Sequence, residues 1–293
     1  MLHVNNLSKT YPNGIRGLEA VTLEAPPGLF GLLGPNGAGK SSLMRTLATL
    51  QSPDSGSAQL DDLDLLGQPE TARARIGYLP QEFGLYPQLS ATELLDHLAV
   101  LKGIGPAAHR RERVHEMLSL TNLSDAADRA LGTYSGGMRQ RFGIAQALIA
   151  RPRLLIVDEP TAGLDPGERN RFHNLLVRAS ADTVVLLSTH IVSDVADLCP
   201  RMAIMADGRI RSQGTPEGLR ERLRGHVWRR RVSQTEAVEA AERLNVISTR
   251  LVEGRSEIHV LAPESPGDGF EAVEPDLEDV YFAELQSAQA SPS

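Results

Sequence analysis

The chain has 293 residues and a formal net charge of −7 at pH 7, with a pI of about 5.7. A chain of this length can bury roughly 75% of its unfolded surface, so a large core is available, whereas the acidic balance argues against a nucleic-acid partner, which would need a basic face. The single cysteine, Cys199, excludes an intramolecular disulfide and suits a reducing cytosol.

The first 90 residues predict short strands and turns around a glycine-rich loop. An apolar run at residues 29–33 predicts a buried strand, and leucines at helical spacing in residues 41–50 predict a helix. The loop itself and the start of the helix consist of Gly34, Pro35, Asn36, Gly37, Ala38, Gly39, Lys40, Ser41 and Ser42. Glycine lets the backbone turn its N–H groups onto a polyphosphate at a helix N-terminus, where the helix dipole also favours an anion. The pattern therefore predicts a phosphate-binding loop in which Lys40 reaches the β- and γ-phosphates and Ser41 ligates Mg²⁺.

Residues 91 to about 150 carry helical patterns. Predicted helices cover residues 92–102, 106–120 and 136–150. The last of them starts directly after Ser135, with Gly136 and Gly137 as its first residues. Because these glycines again lie at a helix N-terminus, they favour a second contact with phosphate.

A second apolar run, residues 154–157, ends in Asp158 and Glu159. Four consecutive aliphatic residues indicate a strand covered on both faces, and its C-terminal end is where parallel α/β sheets place ligands. We predict that Asp158 holds Mg²⁺, through its water shell, and that Glu159 orients or deprotonates the attacking water. The alternative is two acids that only end a strand before a proline turn, and the glycine-rich loop disfavours it.

The last third of the chain begins with two further predicted strands. They cover residues 183–188 and 202–206, and Asp207-Gly208 is a hairpin turn signal after the second. A helix at 235–244 and a hairpin at 246–261 then predict a small α/β appendage over residues 219–286, which closes with an acidic amphipathic segment at 276–282. We expect residues 287–293 to form a disordered tail.

Arginines crowd the start of this appendage, at Arg220, Arg222, Arg224, Arg229, Arg230 and Arg231. We favour a solvated face, or a bridge to acids of the main domain. The alternative is contact with anionic lipid, where each arginine can contribute about 1 kcal/mol.

Taken together, these motifs resemble the nucleotide-binding cassette of ABC transporters. The resemblance rests on residues 34–42, on the signature Ser135-Gly136-Gly137, and on the strand that ends in Asp158 and Glu159. Four more positions match the family's pattern: its adenine-stacking aromatic at Tyr11, its Mg²⁺-contacting glutamine at Gln81, its inter-subunit aspartate at Asp165 within 162–166, and its switch histidine at His190. These elements follow the family's order over about two thirds of the chain.

The implied roles are physically reasonable. Stacking of a base on an aromatic ring is worth about 1 to 3 kcal/mol, and an imidazole can donate a hydrogen bond to a phosphate oxygen that gains charge. Singly, Tyr11, Gln81 and His190 could also be a turn aromatic, a surface amide and a hydrogen-bonded histidine at a strand end. Their occurrence in one chain favours the functional roles.

The signature departs from the family's most frequent form, Leu-Ser-Gly-Gly-Gln, because Tyr134 replaces the leucine and Met138 the glutamine. The resemblance implies that Ser135 and the N–H groups of Gly136 and Gly137 grip the γ-phosphate bound by the opposite subunit, and these residues are intact. The altered positions put any role of the terminal glutamine in doubt. This form, followed by arginine, is similar to the branch that contains bacterial drug, antibiotic and sodium exporters.

The resulting fold prediction is α/β. It consists of a P-loop NTPase core of the ABC ATPase type over residues 1–218, with a helical signature subdomain at about 91–150, and the small α/β C-terminal appendage. The resemblance implies an ATPase that uses ATP and Mg²⁺. Two chains, as a homodimer or as a heterodimer with another cassette, would close head to tail on two Mg-ATP and drive an integral membrane permease subunit.

No stretch approaches the roughly 18 apolar residues that cross a bilayer, and the first residues lack a leader. We therefore expect a cytoplasmic chain that is peripheral on the inner face of the cell membrane through its permease. One rival is a soluble ABC-type ATPase in translation or chromosome maintenance, which usually carries two cassettes or long heptad arms. Another is a non-hydrolysing regulatory cassette, which is disfavoured by the presence of Lys40, Asp158, Glu159 and His190. The cargo stays open.

Overall fold

The computed structural model describes residues 1–161 and 164–290. The strands are β1 Leu2–Thr10, β2 Arg16–Ala25, β3 Gly28–Leu33, β4 Ser55–Leu60, β5 Leu63–Asp64, β6 Ile76–Leu79, β7 Leu154–Asp158, β8 Val184–Thr189, β9 Arg201–Ala206, β10 Arg209–Gly214, β11 Val227–Val232, β12 Val246–Val252, β13 Arg255–Leu261 and β14 Glu271–Ala272. The helices are α1 Lys40–Leu47, α2 Pro69–Arg75, α3 Ala91–Leu101, α4 Ala107–Leu120, α5 Gly136–Leu148, α6 Pro166–Ala179, α7 Val192–Leu198, α8 Pro216–Glu221, α9 Gln234–Arg243 and α10 Leu277–Ala290.

A six-stranded sheet in the order β10-β9-β3-β8-β7-β6 forms the centre of the chain. The strands from β9 to β6 are parallel, and β10 is added antiparallel at the edge next to β9. Every residue of β7 and β8 is buried, because helices or a second sheet cover both faces, as their continuous aliphatic sequences predict. The α/β prediction is confirmed.

An antiparallel sheet in the order β2-β1-β4-β5 covers one face of the central sheet. Its apolar side chains form one buried cluster with α1 and with one face of β3, β7 and β8. The opposite face packs into a second buried cluster that contains the apolar sides of α3 to α7. The phosphate-binding loop of residues 34–39 is therefore anchored between two cores.

Helices α3, α4 and α5 occupy the region of the predicted helical subdomain, with α4 packed against both α3 and α5. Each begins or ends within two residues of its predicted limit. Ser90 forms a capping box with Glu93 at the start of α3, which fixes the entry into this subdomain. Among the described residues, no helix is both long enough and apolar enough to span a bilayer.

The appendage contains an antiparallel sheet in the order β12-β13-β11-β14, flanked by α9. The predicted helix and hairpin are present, although the boundary at 218/219 stays a prediction. Helix α10 returns to pack on α7, α8 and β9, and Leu277, Val280 and Tyr281 join the core of the main domain.

Two expectations for this region need correction. Helix α10 continues to Ala290, so the tail predicted from Ser287 starts too early, and residues 291–293 lie outside the described part. The arginine cluster does bridge to acids, but those acids belong to the appendage: Arg224 pairs with Glu221 and Glu274, Arg229 with Glu271, and Arg231 with Glu253 and Glu257. Strand β11 places Arg229 beside Glu271 of β14 and Arg231 beside Glu257 of β13.

Candidate nucleotide site

The order of strands brings the predicted site residues to one edge of the central sheet. Strands β3, β8, β7 and β6 are neighbours and parallel, so their C-terminal ends lie side by side. Leu33 pairs with Thr189, and Asp158 pairs with Ser188. The segments that follow these strands are therefore adjacent, as in other open parallel sheets that bind ligands at this edge.

The loop between β3 and α1 requires glycine at specific positions. A Cβ on Gly34 would lie 2.4 Å from the carbonyl oxygen of Met205, and one on Gly39 would lie 2.4 Å from that of Gly17. Gly39 also has a φ of +103°, which other residues rarely adopt, and Gly37 has a φ of +84°. This geometry confirms the strand, glycine loop and helix that the sequence predicts.

Lys40, the first residue of α1, is 4% exposed. Its ammonium donates hydrogen bonds to the carbonyl oxygens of Gly34 (2.7 Å) and Pro35 (3.0 Å) and lies 3.2 Å from Oε1 of Glu159. A buried ammonium requires such partners, because an unpaired charge would be strongly penalised. All three partners are groups that a polyphosphate could replace.

Glu159 occupies a sharp turn directly after β7. Its φ of +45° lies in the left-handed region, and its N–H donates to the carbonyl oxygen and Oγ of Ser188 at 3.1 and 3.2 Å. Strained backbone of this kind persists where surrounding structure fixes it and is frequent at active sites. The turn directs the carboxylate to Lys40 on one side and to Nδ1 of His190, 3.1 Å from Oε2, on the other.

Asp158 is 3% exposed and accepts a 2.5 Å hydrogen bond from Oγ of Ser188. Ser188 therefore orients both Asp158 and the backbone of Glu159. Sequence reasoning assigned it no role, although a serine that ends an otherwise apolar strand is a signal that could have identified it.

The donor set at this edge fits Mg²⁺ bound together with phosphate. No group of three or more histidine, cysteine or acidic residues that could hold a metal occurs among residues 1–161 and 164–290. A hydroxyl and a single carboxylate, such as Ser41 and Asp158, suit Mg²⁺, which takes hard oxygen ligands, keeps several waters and relies on substrate phosphates.

Tyr11 lies beside the start of α1. Its hydroxyl is 2.9 Å from Oγ of Ser42 and donates to Oε1 of Gln51 at 3.2 Å. A Cβ on Gly17 would come within 2.7 Å of the Tyr11 ring, so the ring packs tightly on β2, the strand that contains Gly17. The predicted adenine-stacking aromatic therefore borders the phosphate loop, and its stacking role stays a prediction.

The signature lies at the start of α5, where Ser135 accepts a hydrogen bond from the N–H of Met138 and caps the helix. Ser135 and Gly136 are exposed, and a Cβ on Gly136 would meet open space. Among the described residues, no hydrogen bond or ion pair joins the signature to residues 34–42. Within the described part of the chain, these two predicted phosphate contacts are therefore not bonded to each other.

Tyr134 explains the departure at the first signature position. Its ring is 3% exposed and packs edge-on against Phe142 at 6.5 Å, and its hydroxyl donates to the carbonyl oxygen of Ala126 at 2.8 Å. Met138 is half-buried and packs against the same cluster. Both substitutions therefore serve the core of the helical subdomain.

Gln81 and Asp165 are both exposed. Gln81 follows β6 at the same edge of the sheet as Asp158. Asp165 caps α6 by accepting a 2.9 Å hydrogen bond from the N–H of Glu168. Ala162 and Gly163, the first residues of the predicted inter-subunit loop, lie outside the described residues.

Asp194 on α7 is a further buried carboxylate, and sequence reasoning missed it. It is 1% exposed, accepts from Oγ1 of Thr161 at 2.7 Å and from Nε of Arg169 at 2.7 Å, and lies 3.0 Å from Nε2 of His173. Burial alone would raise the pKa of Asp194, but its bonds with His173 and Thr161 hold that pKa below its usual range. A lone aspartate in a short helix gives no sequence signal of such a position.

Residues 18–162 match the family model described as ABC transporter. The chain is 41% identical over 246 residues to the daunorubicin/doxorubicin resistance ATP-binding protein DrrA of Streptomyces peucetius, a match that covers 83% of this chain and 74% of that protein. It is 36% identical over 229 residues to YxlF, an uncharacterized ABC transporter ATP-binding protein of Bacillus subtilis, with 78% and 75% covered.

Solved structures give the same result. An ATP-binding subunit of an ABC transporter matches with a TM-score of 0.68 and 30% identity, over 76% of this chain and 92% of that one. A dimeric, post-hydrolysis ATP-binding cassette bound to ADP and phosphate matches with a TM-score of 0.67 and 27% identity, over 73% and 98%. These similarities confirm the fold and the family that the motifs predict.

Proposed function

The chain belongs to the ATP-binding proteins of ABC transporters, and from this premise we propose that it powers an exporter whose membrane path is a separate permease. It is an ATPase of that family. The proposal therefore concerns how this chain closes on ATP, which residues act, and what the hydrolysis drives.

The contact of Glu159 with both Lys40 and His190 is the observation that supports the residue roles best. The ammonium of Lys40 lies 3.2 Å from the Glu159 carboxylate and neutralises its charge. When a γ-phosphate binds the Lys40 ammonium, Glu159 loses that ion-pair partner. Its carboxylate can then accept the proton of a water molecule. His190, 3.1 Å from Glu159, is then placed to donate to a γ-phosphate oxygen.

Bound Mg²⁺, held by Ser41 and Asp158 with Gln81 at the neighbouring strand end, would neutralise charge on the phosphates. Asp158 keeps one carboxylate oxygen fixed by Ser188. The glycine loop supplies the phosphate cradle, and Tyr11 supplies the surface for the base.

We propose that two chains close head to tail on two Mg-ATP. The exposed Ser135 and Gly136 support this arrangement, since they leave a helix N-terminus free for an anion from another molecule. The γ-phosphate would stabilise the closed dimer and ADP would not, so hydrolysis reopens it. Asp165, exposed at the start of α6, would lie in the same interface.

The segment around Gln81 and residues 82–92 would transmit this closure to the permease. It joins the ATP-binding edge of the sheet to α3 of the helical subdomain, so both ends of the segment move when the dimer closes. DrrA is a drug-resistance protein, and by that similarity we propose a drug-like cargo and a place on the inner face of the membrane.

Purification of the full chain from native membranes, with identification of bound proteins, tests this proposal. We expect a partner with about six membrane-spanning helices and ATP hydrolysis that co-purifies with it. A ribosome or DNA complex would favour the soluble ABC-type ATPase instead. ATP binding without turnover in the purified complex would favour the regulatory cassette.

A further inference from the structure

Asp194 is the buried centre of a polar cluster that no role in the proposed chemistry accounts for. The cluster consists of Asp194, Thr161, Arg169, His173 and Thr189. Arg169 also donates to Oγ of Ser193 at 2.8 Å, which fixes its guanidinium on α7. A carboxylate that is 1% exposed and has this many donors is held in one position.

The partners of Asp194 come from three segments that border the nucleotide site. Thr161 stands two residues after Glu159, and Thr189 directly precedes His190. Arg169 and His173 lie on α6, whose N-terminal cap is Asp165. One carboxylate therefore connects the turn after β7, the end of β8 and the helix that starts at the expected subunit interface.

The connection is tight on the His190 side. Oγ1 of Thr189 accepts from the N–H of Ile191 at 3.0 Å, so the hydroxyl that faces Asp194 also shapes the backbone around His190. Thr161 donates at 2.7 Å and is itself buried. A shift of α6 would pull on Arg169, and through Asp194 it would shift both Thr161 and the segment of His190.

We propose that Asp194 is a positioning residue that fixes His190 and Glu159 relative to α6. It touches neither substrate nor the reacting atoms. Because the Asp165 end of α6 is exposed, contact of that end with a second chain is transmitted through Arg169 and Asp194 to the residues at the γ-phosphate. The transmission from a second chain rests on the proposed head-to-tail dimer. The positioning role rests only on the ATPase activity of the chain.

Steady-state ATP hydrolysis by full-length variants, with ATP affinity from equilibrium titration, tests the role. Asp194→Asn keeps the shape but loses the charge, and we expect kcat to fall about 10-fold or more, since small misplacements of reacting groups can lower rates by about 100-fold. KM and the affinity for ATP should stay within about twofold, because the phosphate loop and Tyr11 are untouched. If Asp194→Asn folds poorly, Arg169→Met tests the same role at a half-exposed side chain. We expect it to lower kcat in the same way.

Asp279→Asn is the matched control. Asp279 is also fully buried and pairs with a histidine, Nδ1 of His259 at 2.7 Å, but it lies in the appendage. We expect this variant to lose thermal stability while kcat per folded chain stays within about twofold. Unchanged kcat in Asp194→Asn and Arg169→Met, or equal losses of kcat and ATP affinity, would overturn the positioning role. A wild-type chain without turnover would instead contradict the ATPase assignment, and the proposal with it.

Discussion

Lys40 and Glu159, which the sequence predicts as separate site residues, form an ion pair through their side chains. Their side chains are 4% and 9% exposed and lie 3.2 Å apart, so each stabilises the charge of the other. Removing one partner leaves a buried charge unpaired, which is strongly unfavourable. In the proposed mechanism this pair would affect nucleotide binding and catalysis, and its contact also contributes to the stability of the fold.

We predict that Lys40→Ala abolishes hydrolysis and strongly weakens ATP binding, because the ammonium is the chief fixed countercharge to the β- and γ-phosphates. Titration with a fluorescent ATP analogue measures the affinity. Lys102→Ala is the control, since Lys102 is an exposed lysine whose ammonium also donates to backbone carbonyl oxygens, those of Arg73 and Ile76. Equal ATP affinity in the two variants would reject the phosphate-loop assignment.

Glu159→Gln is expected to retain ATP binding and to lower turnover by about 10² to 10⁴, the usual scale for loss of a general base. A phosphate-release assay gives the rate. Glu116→Gln serves as a control because Glu116 is exposed and pairs with Arg113 and Arg151. Wild-type turnover in Glu159→Gln would assign the water to another residue.

The burial of Cys199 predicts that its thiol is poorly accessible to thiol reagents in the folded chain. Burial raises the pKa of its thiol to about 12, and the side chain packs against Gly31 of β3. An unfolded thiol ionises near pH 8.5, so the stability that Cys199 contributes is complete below about that pH and declines above it. An aromatic disulfide reagent at pH 8 should react slowly with the native chain and rapidly in denaturant. Immediate reaction of the native chain would contradict the burial.

At the scale of elements, the sequence predicted those parts whose pattern is local. The aliphatic runs of β3 and β7, the helical spacing of α5 and the turn after β9 all correspond to structure. Strand β11 was not predicted, because Arg229, Arg230 and Arg231 occupy its centre and conceal its alternation. Their partners on β13 and β14 are distant in sequence, so only the tertiary structure explains why three arginines fit a strand.

The same reasoning applies to the candidate site. The glycine loop, Asp158, Glu159 and His190 could be found because each ends or follows a recognisable element. Ser188 and Asp194 could not, since their importance comes from the neighbouring segments that the sheet order brings to them. The extent of α10 was misjudged because its last turn consists of small and polar residues, whereas its helical hydrogen bonding continues to Ala290.

The buried side chain of Tyr134, just before helix α5, leads to a prediction about stability. Tyr134→Phe removes the buried hydrogen bond to the carbonyl oxygen of Ala126 and should lower the free energy of unfolding by about 1 kcal/mol. ATP affinity should not change, because the hydroxyl faces the core of the helical subdomain. Urea denaturation measures the difference, with Tyr86→Phe as the control at a side chain that is 62% exposed. A loss no larger than in the control would mean that the hydroxyl contributes nothing.

At the scale of the whole molecule, we propose that the ATPase site is composite, with residues contributed by two chains. The glycine-rich loop is anchored between two cores, whereas Ser135 and Gly136 of the signature are exposed at the start of α5. In the proposed dimer, each chain would offer half of a site to its partner, and ATP would join the halves. The appendage is tied to this body through α10, which packs on α7, the helix that carries Asp194.

The mass of the Glu159→Gln chain in solution, measured by light scattering with Mg-ATP, tests this claim most directly. We predict a species of twice the 31.7 kDa of one chain with ATP, and a single chain with ADP. Adding Ser135→Arg should abolish the dimer while monomer affinity for ATP stays nearly intact. Adding Ser233→Arg, which removes an equivalent helix cap in the appendage, should leave the dimer in place. An ATP-dependent dimer that survives Ser135→Arg, or wild-type hydrolysis by a Ser135→Arg monomer, would contradict the composite site.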